Sequence, residues 1–174
     1  MISIREERPE DIVYVRKLNE RTFKQEFGQA LEADLIDRLR KNCQSILSLV
    51  AVKNNRIVGN IIFSPVKIEG DKTVDGMGLG PMAVLPEHQH QGIGSRLIQA
   101  GIDTLKSRAS PFIVVLGHPE YYPHFGFEPA SHRNIFSQWA GVPDEAFMIL
   151  VLDENVMSDV HGVARYRNEF DEAT

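Results

Sequence analysis

The chain has 174 residues, 43% of them hydrophobic and 25% charged, which is the size and make-up of one globular domain with a substantial core. Its formal net charge of -5 argues against nucleic-acid partners, which require a basic stripe, while leaving room for one local positive site for an anionic ligand. No apolar run approaches the roughly 20 residues of a membrane span, the charged start MISIREERPED lacks the apolar stretch of a signal peptide, and the single cysteine, Cys43, precludes an internal disulfide, so a cytoplasmic protein without membrane contact is expected.

Alternation in MISIREE predicts a first strand. Pro9-Glu10-Asp11 then opens a helix, with Asp11 as its N-cap candidate and Ile12, Val15 and Leu18 on its inner face. Gly28 breaks this helix, and Leu31, Leu35, Ile36 and Leu39 mark the apolar face of a second. ILSLVAVK and RIVGNIIFSPVKI are β-branched runs joined at Asn54-Asn55, which predicts an antiparallel hairpin. GMGLGPMAVL is a third strand, but Pro81 lacks the amide donor of a central position, so its ladder must be interrupted there by a bulge or a splay. A helix starting near Gly92 places Ile93, Leu97, Ile98, Gly101, Ile102 and Leu105 inward and Arg96, Gln99, Asp103 and Lys106 outward. PFIVVLG follows as a strand buried on both faces, which makes the strand-helix-strand order a parallel crossover, and EAFMILVLDE supplies a late strand. The polar tail from Asn155 to Thr174 carries no assignable pattern.

The segment QHQGIGSR sits at the mouth of the best-patterned helix. A helix start offers unpaired amides and a partial positive charge, and Gly92 and Gly94 let an anion come close to them. A Walker loop is excluded because no Gly-Lys-Ser/Thr follows, and a dinucleotide fingerprint is excluded because Leu97 stands where the third glycine belongs.

The order of a proline-interrupted strand, Gln89-His90-Gln91-Gly92-Ile93-Gly94, an amphipathic helix, a buried strand and YYPHFGF resembles the GNAT superfamily of N-acetyltransferases. Within it, LGPMAVLPEHQHQGIGSRLIQAG and VVLGHPEYYPHFGFEPA look like the YhbS-type predicted acetyltransferases of bacteria. The family motif Gln/Arg-x-x-Gly-x-Gly/Ala is met at Gln89, Gly92 and Gly94. The resemblance implies one acetyltransferase domain over residues 1–174, an α/β fold with a mixed, largely antiparallel sheet of six or seven strands, a splayed parallel pair and flanking helices. It also implies acetyl-CoA as co-substrate and transfer of the acetyl group to a primary amine by direct attack in a ternary complex.

Carried over by position, the amides of Gln89, His90, Gln91, Gly92, Ile93, Gly94 and Ser95 would receive the pyrophosphate of acetyl-CoA, and Met82, Ala83 and Val84 would bond its pantetheine arm. Tyr122, four residues before Gly126, would protonate the leaving thiolate, with Tyr121 as the one-residue alternative. A phenol suits that task because it stays protonated near neutrality. The strand acid that many relatives use as a base is absent between Met77 and Leu85, which leaves Asp75, Glu87, Glu128 and His118 as candidates. An acceptor, small molecule or protein, would lie by the same analogy between residues 23–32 and 135–145, where Glu26, Asp144 and Glu145 could attract a cation and Phe27, Phe136 and Trp139 cover its carbon frame. A zinc site built on His88, His90, His118 and His124 is disfavoured because no cysteine supports it. A non-catalytic acyl-CoA-binding or regulatory module, or a transferase for a longer acyl chain governed by Ala83 and Leu116, would share the same motif. The polar tail could contribute to a homodimer.

Overall fold

The computed structural model describes residues 1–28 and 31–173, the side chains at 26, 27, 172 and 173 excepted. In chain order the elements are β1 (Ile2–Glu6), α1 (Ile12–Phe27), α2 (Leu31–Asn42), β2 (Leu47–Lys53), β3 (Arg56–Glu69), β4 (Val74–Val84), α3 (Ile93–Ser107), β5 (Phe112–Leu116), β6 (Glu128–Pro129), β7 (Ile135–Ser137), β8 (Phe147–Val151), α4 (Glu154–Met157) and β9 (Gly162–Arg165), joined by short 3-10 turns. They divide into two compact units, Met1–Phe63 with Gly80–Gly101 and Asn168–Thr174, and Ser64–Leu79 with Ile102–Arg167. Strands β3 and β4 and helix α3 supply residues to both.

In the first unit β1 pairs antiparallel with β2, and β2 with β3. Asn54 and Asn55 turn the β2–β3 hairpin at φ of 51° and 60°, the left-handed geometry such a two-residue turn demands. Successive side chains of β3 point to opposite faces. On one face a Cβ at Gly59 would stand 3.1 Å from Leu97, and one at Gly101 would stand 2.3 Å from Phe63, so α3 lies close only because both positions lack side chains. On the other face Ile62 packs with Leu35, Ile36 and Leu39 of α2, and Asn60 accepts a 3.3 Å hydrogen bond from Asn19 of α1. The α3 pattern is as expected, with Ile93, Leu97, Ile98, Ile102 and Leu105 all buried.

Three local expectations in this unit are corrected. Asp11 stands at the N-cap position of α1 but makes no side-chain cap bond: its carboxylate takes the Arg5 guanidinium at 2.6 and 3.1 Å and the Arg8 amide at 2.7 Å, closing the 3-10 turn before the helix. A forked cation holds the carboxylate more strongly than a helix amide would. Ile12 and Leu31, the first residues of α1 and α2, are exposed, because the buried face starts further along each helix, at Val15 in α1 and at Ala33 in α2.

In the second unit β4 and β5 run parallel at Met77↔Ile113 and Gly78↔Val114. That register ends two residues before Gly80, although β4 itself continues through Pro81 to Val84, so its pairing with β5 stops short of the proline that was expected to interrupt the ladder. β5 pairs antiparallel with β8 over five residues, β6 adds to β8, and β9 pairs with the end of β3. The sheet is therefore mixed and largely antiparallel with flanking helices, and seven strands lie on its main path. β7 and β9 lie off that path and form a second parallel pair, too short to leave an alternating pattern in the sequence. The tail from residue 155 thus contributes to a strand and a terminal 3-10 turn (Asn168–Ala173). Phe112, Val114 and Ile149 centre this unit's core, whereas Leu116, at the end of β5, is 44% exposed and departs from the fully buried strand expected. Among the described residues no helix is long and apolar enough to cross a membrane.

Candidate active site

In the first unit, Met82, Ala83 and Val84 end β4, with Ala83 buried and its neighbours half-buried. The Leu85 amide returns to Val58 O at 2.9 Å, and a 3-10 turn at Pro86–His88 leads into the loop. Gln89 donates from its side-chain amide to Val84 O at 2.9 Å, tying the loop back to the strand end. His90 and Gly92 then take φ of 63° and 80°, with the exposed Gln91 between them. Left-handed turns of this kind bring successive amides to one side of the backbone, the geometry of an anion nest. The first bond of α3 runs from Arg96 N to Gly92 O at 3.1 Å, and the amides of Ile93, Gly94 and Ser95 precede it, at the positive end of the helix. Ile93, 2% exposed, anchors this end in the core, since a Cβ at Gly59 would stand only 3.2 Å from it. The residues singled out for phosphate thus form one contiguous loop and helix start, chemically suited to a multiply charged anion. The left-handed backbone at His90 was not read from the sequence, although histidine is, with asparagine and aspartate, one of the non-glycine residues enriched there.

In the second unit, Tyr122 opens a 3-10 turn (Tyr122–Phe125), and the amides of Tyr121 and Tyr122 donate to His118 O at 3.1 and 3.4 Å. Its ring lies across Gly117, where an added Cβ would stand 2.4 Å from Cε2, and meets Tyr121 and Phe127 edge-on at 5.2 and 5.7 Å. Gly117 is itself fixed by its amide bond to Ala146 O at 2.9 Å. Burial, and secondarily the neighbouring Tyr121, push the Tyr122 phenol up to about 12. Such a group holds its proton throughout the neutral range and can serve as a donor but not as a resting base. Tyr121 is half-buried, edge-on to Phe125 at 5.3 Å.

The candidate bases differ sharply in surroundings. Exposed Glu87 faces Arg21 at 2.8 and 2.9 Å; its own backbone amide first, then Arg21, hold its carboxyl below the usual range. Glu128 accepts from Arg133 at 2.9 Å, and Asp75 lies 3.6 Å from Lys67. His118 is exposed and follows β5 directly. Among the described residues no group of three or more His, Cys, Asp or Glu is arranged to hold a metal ion.

Of the expected acceptor residues, Phe136, Trp139 and Asp144 line one cavity of about 190 Å³ in the second unit, where Asp144 accepts the Ser131 hydroxyl at 2.7 Å. Glu145 is exposed and does not line it. The side chains of Glu26 and Phe27 lie outside the described residues. Two residues were missed. Gly117 seats the tyrosine, and Tyr166 packs its ring against Gly78 of β4 and against Trp139 at 4.9 Å; neither contact has a local sequence signal.

A family model for the acetyltransferase (GNAT) domain matches residues 3–130. The uncharacterised N-acetyltransferase YhbS of Escherichia coli K12 is 32% identical over 168 residues, covering 96% of this chain and 97% of the relative. The crystal structure of Escherichia coli YhbS in complex with CoA superposes with a TM-score of 0.89 at 31% identity, covering 98% of this chain and 92% of that one. A GNAT-family acetyltransferase of Brucella melitensis in complex with acetyl-CoA superposes at 0.80 and 32% identity, covering 98% and 99% of the two chains. With a left-handed, glycine-containing loop at the mouth of α3, a buried phenol after β5 and likeness to these proteins over nearly the whole chain, the chain belongs to the GNAT acetyltransferase family.

Proposed function

We propose that residues 1–174 act as a single N-acetyltransferase domain that moves an acetyl group from acetyl-CoA to a primary amine by direct attack in a ternary complex. The observation that carries this reading is the loop from Gln89 to Ser95, whose left-handed residues and helix-start amides suit a pyrophosphate, in a chain whose relatives bind CoA and acetyl-CoA. In this reading the main chain of Met82, Ala83 and Val84 bonds the pantetheine arm as an added strand would. The neutral amine attacks the thioester carbon, the C–N bond forms and the C–S bond breaks; Tyr122 gives its proton to the departing thiolate, and the proton released from nitrogen as the amide forms restores the phenol. The amine must first lose a proton, and among the described residues His118 is the base candidate with no ion pair to a cation, since Glu87, Glu128 and Asp75 each lie beside one. Holding both reactants in place supplies up to roughly 7–11 kcal/mol of the barrier reduction, so orientation is the larger contribution. Asp144, Trp139 and Phe136 suit an acceptor that carries a cationic amine on an apolar frame.

The test is CoA release from acetyl-CoA across a panel of amines bearing aromatic or alkyl frames, with Tyr122→Phe in parallel. Sustained release, abolished in the variant without loss of acetyl-CoA binding, supports the transferase. Tight acetyl-CoA binding with no release for any amine favours the non-catalytic binding module, and preference for longer acyl-CoAs in competition would change the donor.

A further inference from the structure

A second cavity, of about 520 Å³, lies wholly in the first unit and shares none of its lining with Met82–Val84 or Gln89–Ser95. Its size falls within the range of small-molecule sites. The apolar part is formed by Leu18 of α1, Val52 and Ile57 on either side of the β2–β3 turn, and Leu85, with Leu18 and Leu85 buried. Four cations, Arg5, Lys17, Arg21 and Arg56, line the same space against one carboxylate, Asp11. That carboxylate is already taken by the Arg5 fork and the Arg8 amide, and Arg21 is held by Glu87, which does not line the cavity. Lys17 and Arg56 remain, both exposed and neither with an ion pair among the described residues; the Lys17 ammonium stands 6.0 Å from the Tyr14 ring centroid.

Uncompensated cations from two elements over an apolar floor, in a chain of net charge -5, are complementary to a ligand with the opposite arrangement. We propose that this cavity binds a small organic anion, a carboxylate on an apolar body, with Lys17 and Arg56 on the charged group and Leu18, Val52, Ile57 and Leu85 around the body. Each partner has its own task. The cations give a charge-assisted grip that a neutral molecule cannot use, and the floor gives an area term that a bare anion cannot use. The proposal does not depend on the acetyl-transfer reading, because occupancy is measured without turnover.

Calorimetric titration of the full chain with octanoate, set against octanol and inorganic phosphate, tests both halves. Saturable octanoate binding is expected, with the other two probes about tenfold weaker or worse, and about tenfold loss in the double variant Lys17→Gln/Arg56→Gln, as for removal of charge-assisted bonds. Both side chains are exposed, so the variant keeps its core; an unchanged thermal midpoint confirms that, and Lys17→Gln alone, with a smaller loss, serves if the midpoint falls. Absence of saturable octanoate binding, octanol binding as tight as octanoate, phosphate binding as tight as octanoate, or octanoate binding undiminished in the variants would each overturn the proposal.

Discussion

At Gly92 the backbone sits at φ +80° with nothing within 4 Å of where a Cβ would stand, whereas at Gly117 the corresponding space is filled by the Tyr122 ring at 2.4 Å. The first glycine is there for its main chain: it lets the loop turn left-handed, with open space where a side chain would stand. The second is there for room, so that an aromatic ring can be buried directly after β5. The loop in the first unit thus depends on its backbone and the tyrosine turn in the second on packed side chains, and the same substitution should fail differently in each.

The largest effect belongs to the phenol. Tyr122→Phe keeps the ring and its edge contacts but removes the proton, and turnover should fall about 100-fold or more, as for loss of a general acid, with acetyl-CoA affinity unchanged. Steady-state kinetics beside a binding titration separates the two quantities. Gly117→Ala pushes against that ring and should lower kcat by about tenfold through misplacement of the donor, again at near-constant acetyl-CoA affinity. Gly92→Ala should do the reverse, since a left-handed alanine costs about 1–2 kcal/mol and weakens acetyl-CoA binding several-fold while leaving kcat at saturation alone. Equal losses of affinity in the two alanine variants would erase the distinction between the two regions.

The smallest effect is on stability at high pH. The folded Tyr122 phenol lies near 12, above its ordinary value of 10.0, so the folded state favours the protonated form. Its contribution is whole below about pH 10 and is lost as pH rises toward 12, by a few kcal/mol at most. Chemical denaturation of wild type and Tyr122→Phe at pH 9 and above should show the wild type losing stability faster, and parallel curves would place the phenol in a wetter setting.

How much of this was legible depended on how local the cause was. The Asn54-Asn55 turn, the Gly28 stop and the inward face of α3 follow from neighbouring residues, and each stands where the sequence puts it. The contiguous Gln89–Ser95 loop was legible for the same reason. Asp11 misled because its partner, Arg5, comes from a strand and outcompetes the helix amides that a capping pattern assumes. β6, β7 and β9, at two to four residues, are shorter than any period can reveal. The base stayed hidden because the cations facing Glu87 and Asp75 come from other elements, Arg21 of α1 and Lys67 of β3, and no local spacing announces them.

The central claim is that the α3 mouth holds the phosphates of acetyl-CoA, and calorimetric titration tests it most directly. Acetyl-CoA and CoA should bind the wild type in the micromolar range, about −8 kcal/mol, well ahead of ATP, and Gly94→Val should weaken both by about tenfold while the fold persists. Equal affinity for ATP, or acetyl-CoA binding untouched by the valine, would contradict the account.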